Sequence, residues 1–110
     1  MSGPPETAPD VGRVFAALAD ETRRGVLRRL EPGTSVTASA LAEELPISRQ
    51  AVAKHLRALA EAGLVTAERV GRETRYRAVP GGLDDAAAWM AGAGARWDRR
   101  LERLRRAVAG

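Results

Sequence analysis

Apolar positions in the first part of the chain recur at helical spacing, and each recurrence ends at a residue that stops or caps a helix. Val11, Val14, Phe15, Leu18 and Ala19 form one apolar stripe, which predicts an amphipathic helix. Asp20 can cap a second helix over ETRRGVLRRL, with Val26, Leu27 and Leu30 inward and its four arginines outward. Pro32-Gly33 ends that helix. Thr37 stands where it can cap a third, from Ala38 to Leu45, whose inner face is Ala38, Leu41, Ala42 and Leu45. Pro46 cannot continue it. Ser48 then opens a fourth helix from about Arg49 to Ala62, with Val52, Leu56, Leu59 and Ala60 inward. Gly63 supplies the left-handed stop.

Beyond Gly63 the period changes. LVTAERV and ETRYRAV flank Gly71-Arg72, which predicts a β-hairpin with glycine in the turn. Arg75 and Arg77 share one face of the returning strand and Tyr76 points to the other, while Arg69 and Arg72 sit beside or in the turn. Pro80-Gly81-Gly82 breaks the chain before a final helix, Leu83 to about Val108. Its apolar positions Leu83, Ala87, Met90, Gly94, Trp97, Leu101, Leu104 and Val108 are separated alternately by four and three residues, an unbroken heptad seam. An amphipathic helix docked on its own domain is one reading of that seam. With Trp89 beside it, however, the seam carries more apolar surface than one small domain covers. It is therefore read as a dimer interface, packed with the first helix and built from Val11, Phe15, Leu83, Met90, Trp97, Leu101 and Leu104. Ala86, Gly92, Gly94 and Ala95 mark a close helix approach or a bend.

The expected fold is therefore mainly α with a small β-hairpin: a winged helix-turn-helix of about five helices plus a two-stranded wing, dimerising through its terminal helices. Residues 1–10 are read as a disordered N-terminal tail, 11–80 as the DNA-binding core and 81–110 as a C-terminal dimerisation helix.

The third and fourth helices, joined by a tight turn, leave Arg49, Gln50, Ala53, Lys54 and Arg57 pointing outward. A short exposed helix that presents Arg, Gln and Lys near its N-terminal end fits the DNA major groove. Charge follows the same map. Residues 1–47 hold five arginines against seven acidic residues, whereas residues 48–79 hold six arginines and one lysine against three glutamates. Residues 80–110 hold six arginines against four acids, and the whole chain carries +4. A basic surface centred on a candidate recognition helix is the footprint of a phosphate-binding face.

Other chemistry is narrowed by what the sequence lacks. With no cysteine and the single histidine His55, disulfides, thiolate metal sites and a histidine-rich metal site within one chain are excluded, and no metal or other cofactor is expected. No partnered serine, cysteine or carboxylate pair stands at a recognisable catalytic spacing, so an enzyme is not expected. Two roles stay open for His55: a phosphate contact from its ring, or a half-buried structural position beside Leu56. The first ten residues contain no apolar run, and no stretch approaches the roughly 18 apolar residues that span a bilayer. The expected setting is the bacterial cytoplasm, in association with the nucleoid and without a membrane partner.

Three stretches, FAALADETRRGVLRRL, the LAEEL and ISRQAVAKHLRALAEAGLV block, and GRETRYR, resemble the ArsR/SmtB family of winged helix-turn-helix repressors, in the same order and over about Val14 to Val79. The tail, AAAWM followed by WDRRLERL, resembles a subgroup without metal sites. Its members commonly act as autorepressors, often encoded beside an enzyme or a ligand-binding protein of the polyketide-cyclase type. The chain departs from the family's metal sensors in having no thiolate pair in Leu41-Ala42-Glu43-Glu44-Leu45. Its last helix has Asp84, Asp85 and Glu102 but no histidine, a poor set for a borderline-soft metal. Ala53 stands where the family usually has Ser or Thr.

The expected function is a homodimeric repressor on a palindromic operator in double-stranded DNA. Arg49, Gln50 and Lys54 would read base edges. Thr37, Ser48, Arg57 and the wing arginines Arg69, Arg72, Arg75 and Arg77 would hold phosphates, with His55 an additional candidate. Two alternatives remain: a repressor released by a small molecule at the Trp89/Trp97 interface, and a winged helix used only for protein docking.

Overall fold

The computed structural model describes residues 11–109, so the tail expected over residues 1–10 lies outside the described residues. Its helices are α1 (Val11–Leu18), α2 (Glu21–Arg28), α3 (Ala38–Ala42), α4 (Arg49–Glu61) and α5 (Asp84–Ala109), and its strands are β1 (Val36–Thr37), β2 (Val65–Val70) and β3 (Glu73–Ala78). Three helix starts are fixed by the side chains that the sequence offers for them. Asp20 Oδ1 accepts from the Arg23 amide at 2.9 Å, Thr37 Oγ1 from the Ala40 amide at 3.1 Å, and Ser48 Oγ from the Ala51 amide at 3.1 Å. Each bond satisfies one amide that the helix itself leaves without a partner.

Helix α4 ends as Gly63 predicts. Gly63 has φ 81°, the Leu64 amide donates to Leu59 O at 2.9 Å and the Gly63 amide donates to Ala60 O at 3.0 Å. This paired closure needs a left-handed residue at its centre, and it turns Leu64 and Val65 back into the core as β2 begins.

Val26, Val52, Leu56 and Leu59 are fully buried, and Leu30, Leu41, Leu64, Val65 and Tyr76 complete the centre around them. The inner face of α4 is thus the axis of the domain. Each such side chain contributes about 1.5–3 kcal/mol through removal from water. Val14 and Ala17 of α1 and Ala86 of α5 close the far side.

The structure departs from the sequence reading in four places. First, α3 stops at Ala42 rather than Leu45. The amides of Glu43 and Glu44 turn back to Ala40 O and Leu41 O at 3.3 and 3.0 Å, and Pro46 disfavours helical geometry at Leu45. Second, Val36–Thr37 form a strand, so the wing is part of a three-stranded antiparallel sheet of order β1-β3-β2. Val36 pairs with Tyr76 and Thr37 with Arg75, while β2 and β3 pair from Val65↔Ala78 to Val70↔Glu73.

Third, only part of the arginine face of α2 points outward. Arg24 donates to Leu18 O at 2.7 Å, and Arg23 donates to Ala17 O at 3.5 Å and to His55 Nδ1 at 3.3 Å. These two arginines bind the carbonyls that α1 leaves open at its C-terminal end. Fourth, α5 runs unbroken through Gly92 and Gly94 for 26 residues, about 39 Å.

Little of α5 lies on the domain. Ala86 is its one buried residue, and Trp89 meets Phe15 of α1 edge-on, with ring centroids 5.5 Å apart. Leu83, Met90, Trp97, Leu101 and Leu104 are between 43% and 58% exposed. The helix projects into solvent, which gives a radius of gyration of 18.6 Å and extents of 68 × 41 × 24 Å. A compact chain of similar length has a radius of about 13 Å.

Candidate nucleic-acid interface

Ser48 fixes the first turn of α4, and that turn carries Arg49 and Gln50 exposed on its outer side. Ala53 and Arg57 follow Arg49 at successive steps of four residues, so the three form one stripe along the helix. Opposite this stripe stands the wing. Gly71 has φ 62° and Arg72 a negative φ, the sign pattern of a two-residue turn whose first central position needs glycine and whose twist suits a hairpin. From Arg72 in the turn, Thr74 and Tyr76 of β3 follow at steps of two and share the face towards α4. Together with Thr37 and Ser39 at the start of α3, these groups line an open cleft of about 520 Å³ between the helix pair and the wing.

The cleft gathers Thr37, Arg49, Gln50, Arg57 and Arg72 from the residues expected to touch DNA. Arg49, Arg57 and Arg72 are exposed and make no ion pair or hydrogen bond among the described residues. The one carboxylate in the cleft lining, Glu73, accepts from Arg75 at 2.9 Å. Three unneutralised guanidinium groups therefore face one concave surface, and guanidinium forks suit phosphate oxygens and the guanine edge.

The other expected contacts lie elsewhere. Lys54 is exposed on the next column of α4, and Ser48 is exposed but engaged in the helix cap. Arg69 Nε donates to Gly71 O at 3.2 Å, and Arg77 reaches Gly33 O at 3.4 Å; both remain exposed. Arg75 is occupied by the protein itself: Nε donates to Ser35 Oγ at 2.8 Å, one terminal nitrogen to Ser35 O at 2.9 Å and the other to Glu73. His55 is half-buried on the back of α4, where its Nδ1 accepts from Arg23.

Ser39, Glu73 and Thr74 belong to the cleft but were not expected from the sequence. A period-two reading of β3 assigns Thr74 to the face of Arg72 and Tyr76, so that alternation carried the signal for it. The same reading puts Arg75 and Arg77 on the reverse face, where both meet the loop at residues 33–35.

Behind the cleft, the Asp20 carboxyl is held below its usual value of 3.8, chiefly by the Arg23 amide that it caps. Burial opposes this shift, while the His55 and Arg23 side chains and the Thr22 amide add to it. Among the described residues no three His, Asp or Glu side chains come together as a metal-sized group, and no helix is long and apolar enough to cross a membrane.

Residues 18–68 match the family model of a helix-turn-helix domain. The chain is 42% identical over 71 residues to the HTH-type transcriptional regulator Rv2034 of Mycobacterium tuberculosis, a match that covers 64% of this chain and 65% of that protein. It is 34% identical over 80 residues to the transcriptional repressor SdpR of Bacillus subtilis, covering 73% of this chain and 88% of SdpR. Among solved structures, an ArsR-like transcriptional regulator from Rhodococcus sp. RHA1 superposes with a TM-score of 0.74 at 50% identity, over 86% of this chain and 88% of that one. The homodimeric winged helix-turn-helix DNA-binding domain of Mb0332 from Mycobacterium bovis gives 0.59 at 28% identity, over 94% and 95%. The helix pair, the wing and these similarities converge: the chain belongs to the ArsR family of winged helix-turn-helix transcriptional regulators.

Proposed function

We propose that this regulator is a homodimeric repressor that reads a palindromic operator and represses by occluding a promoter, its own being the simplest target. The observation that carries this reading is the cleft, in which Arg49, Gln50 and Arg57 of α4 face Arg72 of the wing without acidic partners. In a two-fold dimer the two α4 helices would enter successive major grooves about 34–36 Å apart. Gln50 pairs with adenine and Arg49 with guanine, Lys54 reaches a neighbouring base edge, and Arg57 and Arg72 hold phosphates. Arg69 and Arg77 extend the phosphate contacts along the wing. Thr37 and Ser48 contribute by capping α3 and α4, whose first-turn amides approach the backbone. Arg75 and His55 support the wing and α4 from behind.

Dimerisation is assigned to residues 81–110 together with Val11 and Phe15, because the large seam residues of α5 remain about half exposed in the single chain. The homodimeric Mycobacterium bovis domain supports pairing as such. The absence of cysteine and the single histidine favour a repressor without a metal sensor. If an inducer exists, the exposed Trp97 indole in the seam is where an organic ligand would compete with pairing.

Electrophoretic mobility shift with the DNA upstream of the protein's own gene tests this function. Retardation that a shuffled duplex fails to compete supports sequence-specific repression. Absence of any salt-dependent shift would leave the winged helix as a protein-docking module.

A further inference from the structure

The C-terminal half of α5 carries a second basic surface, outside the cleft and largely clear of the dimer seam. Arg96, Arg99, Arg100, Arg103 and Arg106 are all exposed. At about 100° per residue they fall within about 120° of the helix circumference; Arg99, Arg103 and Arg106 stand away from the seam of Met90, Trp97, Leu101 and Leu104, Arg96 lies between, and Arg100 borders it beside Trp97. Burial of the seam in a dimer would therefore leave Arg96, Arg99, Arg103 and Arg106 facing solvent.

Its charge is largely uncompensated. Arg106 meets Glu102 at 3.7 Å and Arg100 lies over the Trp97 ring at 5.8 Å. Arg96, Arg99 and Arg103 have no ion pair or hydrogen bond among the described residues. Asp98 lies, like Glu102, on the flank between the two faces.

We propose that this arginine ridge is a second phosphate-binding surface, through which the protein holds the backbone of duplex DNA outside the operator contacts of the cleft. The ridge is about 15 Å long, from Arg96 to Arg106, at 1.5 Å per residue. Over that length a B-form duplex presents about nine phosphates, one per 1.7 Å of axis. The five guanidinium forks thus face phosphate acceptors in excess. A lipid surface fits less well. An amphipathic helix lying on a membrane buries its apolar face and reaches headgroups with cations flanking that face, whereas Arg99, Arg103 and Arg106 stand on the far side and only Arg100 flanks it. Contacts of this kind are independent of base sequence, so the ridge would hold the dimer on DNA during search and beside the bound operator.

The test uses the full chain and measures binding to the upstream duplex and to a random duplex across a salt series. Three variants are compared with the parent: Arg96→Gln/Arg99→Gln/Arg103→Gln, the same three positions changed to Lys, and the cleft variant Arg49→Ala/Arg72→Ala. The Gln variant is expected to flatten the slope of log affinity against log salt by about 2.7, at about 0.9 per phosphate contact. It should keep the preference for upstream over random DNA, and the Lys variant should restore the slope. Sedimentation and circular dichroism check that all three remain folded.

A parental slope in the Gln variant would overturn the ridge proposal and leave the cleft standing. Arginine-dependent binding to phosphatidylglycerol vesicles, with no change in the DNA slope, would overturn it in favour of a lipid surface. Undiminished sequence preference in the cleft variant would instead overturn the operator-reading assignment and leave the ridge standing.

Discussion

Arg72 and Arg75 lie three residues apart and on opposite faces of the wing, and this separates a DNA contact from a brace. Arg72 stands at the rim of the cleft with no protein partner, while Arg75 spends its guanidinium on Ser35 and Glu73. Their replacement should therefore fail in different ways. Arg72→Ala is expected to leave thermal stability unchanged, to weaken binding to all duplexes alike and to flatten the salt slope by about 0.9. Gln50→Ala should instead keep the slope and narrow the preference for the operator by about 1–3 kcal/mol at the base pair it reads. Equal losses on specific and random DNA for Gln50→Ala, or a changed preference for Arg72→Ala, would contradict these roles. Arg75→Ala is expected to destabilise the fold by about 1–2 kcal/mol, measured by denaturant titration, since it removes charge-assisted bonds from a side chain that is 34% exposed. Stability equal to the parent would remove the brace. Alternation along β3 made Arg72 and Tyr76 legible as one face, but the partner of Arg75 was not, because Ser35 lies 40 residues away. Arg23 and His55 escaped for the same reason, since a contact 32 residues apart leaves no mark in local periodicity.

Among the elements, those with their own caps and stops were readable and the one built by a distant partner was not. Asp20, Ser48 and Gly63 each fix a helix boundary through contacts within a few residues. β1 has two residues, too few to show alternation, and becomes a strand only because β3 passes beside it. The apolar stripe predicts α3 three residues longer than it is, because Leu45 continues the stripe while Pro46 unwinds the chain beneath it. The cap of α2 also sets a pH dependence. The Asp20 carboxyl sits below 3.8 in the folded chain, so its charge adds stability above that pH, and this is lost as pH falls through the folded value. Asn caps a helix without the charge. The melting temperature of the parent should exceed that of Asp20→Asn near neutral pH, and the gap should close well below pH 3.8. A gap of constant size would place its origin outside the carboxyl's titration.

At the scale of the whole molecule, the projection of α5 is the feature that a single chain leaves unexplained. A 26-residue helix with one buried residue gains little from its own domain, and an isolated helix in water is marginal even at favourable composition. The heptad seam was plain in the sequence because its spacing is local, whereas the seating of Ala86 and Trp89 on α1 depended on how the domain closes. Trp97→Asp places a charge in the middle of the seam and is expected to give a monomer in sedimentation velocity, with a parallel loss of operator affinity. A dimer that survives the change would remove the seam from the interface. The proposed function requires a paired reader of duplex DNA. Hydroxyl-radical footprinting of the upstream region tests that claim most directly. It should give two protected half-sites with centres about one helical turn, 34–36 Å, apart. A single protected half-site, or uniform protection without boundaries, would contradict it.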